Sequence, residues 1–356
     1  MPKSGKRKVA IVTGPTGGHF FPGLAVAEEL SGLNNTEVFF FVPGKEYIKC
    51  WLKKKHFRYV VIPSGRLSSR DFLSPFKFFY AVVKAILQVS SGNFDILFIT
   101  GSYITVPFLF AAFLCGVKTV VHEQNYMMGK VTMLSRYLAS QIALSFPEYR
   151  GSYSRKAVFT GFPVLSDFKK KCSREKAIAE MGFSGSRLTV LVLGGSQGSG
   201  FLNRLISENF LYLGRKNLQF LHLAGPGEKV LRKTYKKFGI TAMVFGFYFD
   251  MARLYNIADI IICRAGAGTL SEINEWKIPA IAVPYPYAGS HQVYNALFFE
   301  RKGCCRILYQ KEENIKKFPA FLDDFIDRTG DMKKSAEKVS IVDSGGKTVS
   351  LIMDAV

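Results

Sequence analysis

The chain predicts an α/β protein of two doubly wound parallel sheets, each covered by helices on both faces. Three observations carry this: short β-branched runs alternate with helical stretches, the alternation restarts near the middle, and each half opens with a strand running into a glycine-rich loop. Val9-Ala10-Ile11-Val12-Thr13 leads into Gly14-Pro15-Thr16-Gly17-Gly18, and the run 188–193 leads into Gly194-Gly195-Ser196-Gln197-Gly198, 180 positions later. Loops of this kind sit at the carboxyl end of the first strand of such sheets, where they face a ligand. A chain of 356 residues also exceeds what one hydrophobic core usually supports.

In order, the pattern gives a strand at 8–13, a helix from Pro22, a strand at 37–42 and a helix at 47–54. The apolar stretch 104–117 holds 14 residues, short of the roughly 20 that cross a bilayer, and reads as a buried helix. Strands follow at 117–121 and 157–160. The hinge is expected at Gly161-Phe162-Pro163-Val164, giving a first domain of 1–163, completed by a terminal helix within 340–356, and a second domain of 164–339. In the second half, 242–247 and 259–263 read as strands.

Lys and Arg outnumber Asp and Glu by 48 to 27, so a net charge of +21 draws the chain towards nucleic acid, anionic lipid or phosphorylated substrates. The six cysteines form no CxxC pair, which speaks for a reduced, cytosolic protein without structural zinc. The basic segment 1–8 precedes an apolar run too short for a signal peptide, so export is not expected.

Arg264-Ala265-Gly266-Ala267-Gly268-Thr269-Leu270-Ser271-Glu272 follows a β-branched run and opens a helix, as a sugar-nucleotide pocket would. Glycines there let the backbone approach a ligand, and the helix start aims N–H groups and a positive dipole end at an anion. Glu272 can accept both hydroxyls of a ribose diol, although the same segment also reads as a plain βα turn whose acid complements the helix dipole. In the first loop, Thr16, Gly17 and Gly18 can cradle a phosphate. His19 is a candidate general base, or else a cap for the helix at Pro22. His122-Glu123-Gln124-Asn125 emerges at a strand's carboxyl end; Glu123 orients His19 or the acceptor, or satisfies its own loop. Ser196 and Gln197 suit a diphosphate. Gln292 and Asn295 are spaced to share a helix face, beside His291, where they can read sugar hydroxyls.

Taken together, Gly14 to Gly23, the His122 to Asn125 tetrad, Gly161 to Val164, Gly194 to Gly198, Arg264 to Glu272 and His291-Gln292 with Asn295 resemble the MurG family over nearly the whole length. That family adds N-acetylglucosamine to lipid I to make lipid II of peptidoglycan. The resemblance implies a GT-B fold with a cleft between its domains and an inverting transferase without metal or other cofactor. UDP-GlcNAc would lie on the second domain and lipid I on the first. It further implies His19 and Glu123 as catalytic residues, and donor or acceptor contacts at Thr16, Gly17, Gly18, Asn125, Ser196, Gln197, Tyr248 (against the uracil), Ala267, Gly268, Thr269, Leu270, Ser271, Glu272, His291, Gln292 and Asn295. Two departures stand out: Leu165 replaces the hinge arginine usual in the family, and Pro15 replaces a glycine.

A lipid-borne acceptor requires a membrane contact. The stretch 72–89 is apolar around more of its circumference than one-sided packing needs, with Phe76 and Phe79 interleaved by Lys77 and Lys84, and Arg66 and Arg70 ahead of it. This fits a peripheral anchor on the cytoplasmic face of the cell membrane, against a competing reading as a buried helix. Partners of the cell-wall synthesis machinery are compatible with this place, whereas nucleic acid is not expected, since charge alone does not explain three nucleotide-type loops. A dehydrogenase lacks support because neither half carries a strict GxGxxG. Another GT-B enzyme using UDP-GlcNAc, an epimerase or a glycolipid synthase, is the nearer alternative.

Overall fold

The structure is a computed structural model that describes residues 6–63, 74–147, 155–195, 198–287, 290–343 and 346–355. The chain divides into two compact units, Met1–Leu165 with Ile341–Val356, and Ser166–Ser340.

The first unit holds a seven-stranded parallel sheet, in the order β3-β2-β1-β4-β5-β6-β7. Its strands are β1 (Arg7–Val12), β2 (Thr36–Pro43), β3 (Arg58–Ile62), β4 (Ile96–Ile99), β5 (Lys118–Glu123), β6 (Gln141–Leu144) and β7 (Ala157–Phe159). Strands such as Ile96–Ile99 are buried at every position, as expected where helices cover both faces. β1 lies between β2 and β4, so chain direction reverses across the sheet there, and the loops after β1 and β4 border the crevice where such sheets bind ligands. The helices are α1 (Gly17–Ser31), α2 (Glu46–Lys54), α3 (Ser74–Gly92), α4 (Val106–Leu114) and α5 (Lys130–Leu138). The apolar stretch 104–117 resolves into a 3₁₀ turn, α4 and the approach to β5, and α4 buries Pro107, Phe108, Leu109, Ala111 and Ala112. Among the described residues no helix is long and apolar enough to cross a membrane.

Helix α1 corrects one boundary. It begins at Gly17, five residues before Pro22, which sits inside it. Proline lacks an N–H, but in the second turn this removes only one bond, and Phe20, Leu24 and Leu30 bury enough apolar surface to keep the helix. Consequently Gly17, Gly18 and His19 form its first turn. The last helix of the chain returns to this unit, with the Arg7 guanidinium donating to the Met353 carbonyl at 2.8 Å. The preceding segment bridges alongside Phe162, whose N–H donates to Ile341 at 2.6 Å and whose carbonyl accepts from Asp343 at 2.9 Å.

The second unit repeats the plan with six parallel strands in the order β10-β9-β8-β11-β12-β13. These are β8 (Leu188–Leu193), β9 (Leu218–Leu223), β10 (Ala242–Phe245), β11 (Ile260–Cys263), β12 (Ala280–Ala282) and β13 (Cys305–Ile307). Here the reversal falls at β8, between β9 and β11. Helices α6 (Arg174–Glu180), α7 (Gly200–Ser207), α8 (Phe210–Leu213), α9 (Glu228–Lys237), α10 (Met251–Ile257), α11 (Ala267–Glu275), α12 (His291–Arg301), α13 (Glu312–Asp327) and α14 (Thr329–Glu337) surround it, and α15 (Lys347–Asp354) is the helix that returns to the first unit. One core cluster joins the sheet to the apolar stripes of α7 and α13 through Leu202, Leu205, Phe220, Ile262, Phe318 and Leu322.

Candidate active site

In the first unit the loops after β1, β4 and β5 converge on His19. A side chain at Gly14 would meet Ser102 Cβ at 2.6 Å and the His19 ring at 2.9 Å, so only glycine lets the β1 and β4 loops approach this closely. His19 Nδ1 lies 2.7 Å from the Thr100 carbonyl. A carbonyl only accepts, so Nδ1 carries the proton and Nε2 is left as the basic nitrogen. Withdrawal from water lowers the His19 pKa below 6.5, against smaller raising effects from the Thr100 carbonyl, the Glu123 charge and Gln124. Thr16 is the N-cap in extended conformation without a side-chain capping bond, while His19 and Phe20 donate back to the Thr16 carbonyl at 3.0 Å. The amides of Gly17 and Gly18 thus stand at an uncapped helix start, where a negative group is favoured.

Glu123 has other work. Its Oε1 accepts from the Asn125 backbone at 2.9 Å and side chain at 3.2 Å, and its Oε2 from Gly129 N–H at 2.8 Å and the Thr132 hydroxyl at 2.5 Å. Four donors on a buried carboxylate make it the organiser of the 123–132 loop. These bonds tie Asn125 into the same loop, and Glu123 acts on His19 through its charge. His122 is fully buried, and burial holds its pKa down at about 3. Its Nδ1 accepts from Gln124 at 3.2 Å, and its Nε2 then donates to Ser145 at 3.0 Å. The Gln124 amide also donates to the Thr100 carbonyl at 2.6 Å, so His19 and His122 are braced by one shared carbonyl and one amide.

In the second unit, Ser196 and Gln197 lie outside the described residues, but the loop around them is fixed on both sides. Gly198 has φ +74, and a side chain there would strike the Ala224 carbonyl at 2.8 Å. Ser199 caps α7, its hydroxyl accepting from Leu202 N–H at 3.3 Å. Sequence reasoning missed Asn203, which donates to the Ala224 carbonyl at 3.1 Å and accepts from His222 Nε2 at the same distance. His222 is kept neutral by burial, its pKa lowered to about 3, and its Nδ1 faces the Tyr235 hydroxyl at 3.1 Å. The signal was present: a lone histidine in the apolar strand Leu218–Leu223, opposite an asparagine within the apolar face of α7.

After β11 the chain turns at Gly266, the extended N-cap of α11, again without a side-chain cap. The first amides of Ala267 and Gly268 and the half-buried Thr269 lie at this helix start. Leu270 is buried with its N–H donating to Gly266, and the buried Ser271 hydroxyl donates to the Ala267 carbonyl at 2.8 Å. Glu272 accepts from the Tyr255 hydroxyl at 2.6 Å. Burial raises its pKa to about 7, with the Tyr255 bond pulling the other way. Tyr255 left no signal in the sequence, where it reads as a core aromatic.

Around α12, Gln292 Oε1 accepts from Tyr285 N–H at 2.9 Å and so holds the preceding loop. His291 keeps a buried Nδ1 without a hydrogen-bond partner among the described residues. Asn295 is completely buried and donates to the Ala265 carbonyl at 3.3 Å, which supports the β11 turn. Tyr248 follows β10 and packs on Phe245 with ring centroids 4.6 Å apart, leaving Phe247 and Phe249 as the exposed rings of that loop. The Arg264 guanidinium lies 5.9 Å from the Phe201 ring and 5.5 Å from that of Tyr285.

Residues 9–144 match the glycosyltransferase family 28 N-terminal domain and residues 189–348 its C-terminal domain. A protein of Thermodesulfovibrio yellowstonii named UDP-N-acetylglucosamine--N-acetylmuramyl-(pentapeptide) pyrophosphoryl-undecaprenol N-acetylglucosamine transferase is 30% identical over 337 residues, covering 92% of each chain. A protein of the same name from Syntrophus aciditrophicus is 31% identical over 343 residues, covering 94% of this chain and 93% of its own. The chain belongs to the MurG family. The solved MurG of Acinetobacter baumannii aligns over 98% of this chain and 99% of its own, at 26% identity and a TM-score of 0.76. UDP-GlcNAc 2-epimerase from Neisseria meningitidis shares the fold at 14% identity and a TM-score of 0.69. The architecture is thus GT-B, and the chain is a family 28 glycosyltransferase. Leu165, where the resemblance implied an arginine, is a buried side chain of the first unit.

Proposed function

We propose that this protein transfers GlcNAc from UDP-GlcNAc to the MurNAc of undecaprenyl-pyrophosphoryl-MurNAc-pentapeptide, lipid I, giving lipid II with inversion. The observation that carries the reading furthest is His19, fixed by the Thr100 carbonyl with Nε2 as its base, in the first turn of an uncapped helix in a MurG-family chain. The first unit takes the acceptor: Thr16, Gly17 and Gly18 receive its diphosphate, and Nε2 of His19 accepts the proton of its hydroxyl. The second unit takes the donor. Glu272 receives the ribose hydroxyls and the loop after β10 the uracil. The starts of α7 and α11, with Ser196 and Gln197, receive the diphosphate, and Gln292 and His291 face the sugar. As the acceptor oxygen bonds to the anomeric carbon, the bond to UDP breaks, and amides and helix dipoles hold the charge that develops on the leaving diphosphate.

The test mixes purified protein with radiolabelled UDP-GlcNAc and a short-chain lipid I analogue, with and without EDTA. Labelled lipid II should form at equal rates in both. Loss of turnover in EDTA would refute the metal-free mechanism, and release of an isomerised nucleotide sugar with no acceptor product would make the chain an epimerase.

The acceptor reading places the protein on the cytoplasmic face of the membrane, next to other cell-wall enzymes, with α3 as its contact. The inner face of α3 buries Ala85 and Val89, and Phe78 packs edge-on against Phe110 of α4 at 6.1 Å. Its outer face leaves Phe76 and Phe79 68% exposed, Tyr80 64% and Leu87 63%, too much apolar surface for a helix meant only for water. Phe113 and Leu114 at the end of α4 extend the patch, and Lys77 and Lys84 supply charge for anionic headgroups. Arg66, Arg70, Phe72 and Leu73 lie outside the described residues. A Phe76→Ser/Phe79→Ser protein should float with anionic liposomes several-fold less than the parent while keeping its melting temperature. Unchanged flotation would remove α3 as the anchor.

A further inference from the structure

At the end of the first sheet opposite the His19 loops, the structure has a cavity of about 340 Å³. It opens at the amino-terminal ends of β1, β2 and β3, under the last turn of α3, and takes no part in the chemistry above. Its size falls within the range of small-molecule sites. Three phenylalanines make its apolar wall: Phe39 lies 5.3 Å from Phe41 and 5.8 Å from Phe94, centroid to centroid, in tilted and edge-on arrangements. Rings set in this way accept a further flat ring by edge or offset contact. The opposite wall is polar, formed by Gln88 and Ser91 of α3.

The rim decides the charge of the ligand. Lys8, Arg58 and Glu37 line it, and Glu37 is already paired with Arg58. The Lys8 backbone N–H donates to Asp95 at 2.8 Å, but among the described residues the ammonium of this half-buried residue forms no ion pair. With Arg58 committed to Glu37 and the Asp95 carboxylate held by the Lys8 backbone N–H, the Lys8 ammonium is the cation of this rim left to meet an anion. Gly92 keeps the cavity open, since any side chain there would overlap the Phe94 ring at 2.1 Å and push it out of place.

We propose that this cavity is a binding site for a small planar aromatic anion, its ring against Phe39 and Phe94 and its acidic group on Lys8. The site stands independently of the transferase reading. It places a ligand against the end of the same helix whose other half carries the exposed Phe76 and Phe79.

The probe is 8-anilinonaphthalene-1-sulfonate, titrated into the full chain by fluorescence, with the uncharged N-phenyl-1-naphthylamine alongside. One saturable site should appear for the sulfonate. Ser91→Trp, at an exposed position on the rim, should abolish it, and Lys8→Met should raise its dissociation constant about tenfold while leaving the uncharged probe unaffected. The Phe76→Ser/Phe79→Ser protein should retain the site. The proposal is overturned if sulfonate binding survives Ser91→Trp in a folded protein, if it disappears with the α3 double substitution, or if both probes bind equally. Should Ser91→Trp unfold the chain, a crystal grown with the probe gives the same decision by whether its ring lies against Phe39 and Phe94 with its sulfonate on Lys8.

Discussion

His19→Ala should lower kcat by two to four orders of magnitude while changing the KM for UDP-GlcNAc little. A positioned base contributes about 10²- to 10⁴-fold, and the proposed reading puts this base in the unit that takes the acceptor and the donor on the other. The pH profile separates a base from a mere helix-start residue. Because burial lowers the His19 pKa, the basic form of Nε2 persists to lower pH than in free imidazole, and the acidic limb of kcat, read at saturating UDP-GlcNAc so that the titration of Glu272 does not enter, should fall below pH 6.5. His19→Gln keeps a side-chain amide that can donate to Thr100 but supplies no base, so it should be as slow as the alanine and lose that limb. An alanine protein that turns over normally, or an acidic limb unchanged in the glutamine protein, would remove His19 from the chemistry. Glu123→Gln should be milder, since its carboxylate meets loop donors and reaches His19 only through its charge.

What was legible in the sequence follows from what is local. The β-branched runs and the glycines after β1 and β8 are short-range signals, and they place both switch-point loops. His19 and Glu272 were legible for the same reason, since each lies next to a glycine-rich helix start. The boundary at α1 was misread because Pro22 looks like a first-turn proline, whereas the burial that lets the helix begin at Gly17 is tertiary. Burial also sets Asn295, Leu270 and Ser271 apart from the half-buried Thr269 and Gln292. The spacing of Gln292 and Asn295 puts them close on α12, but only the packing of that helix against the β11 turn shows that Asn295 looks inward to the Ala265 carbonyl. Tyr255 and Asn203 reach Glu272 and Ala224 from distant elements, through bonds that no local pattern encodes.

Glu272→Ala should raise the KM for UDP-GlcNAc about a hundredfold and leave kcat nearly intact. Two charge-assisted hydrogen bonds to a ribose diol contribute roughly 3 kcal/mol together, and they are made equally in the ground and transition states. The same carboxyl predicts a pH effect whose sign is fixed by linkage. Burial raises its pKa to about 7 in the free protein, so near neutrality it is partly protonated, while the ribose hydroxyls bind the ionised form and pull that pKa down. Binding therefore releases a proton. Donor affinity should be flat above pH 7 and weaken as pH falls below it, by up to tenfold per unit until the pKa of the complex is reached. Glu272→Gln should bind weakly at every pH and erase the slope. Tyr255→Phe tests the support of the site from behind: with the bond that favours ionisation gone and burial unchanged, the pKa should rise and the onset of weakening move to higher pH. Isothermal titration with UDP in two buffers of different ionisation enthalpy reads the released proton directly, and its absence at pH 6.5 would separate Glu272 from the ribose.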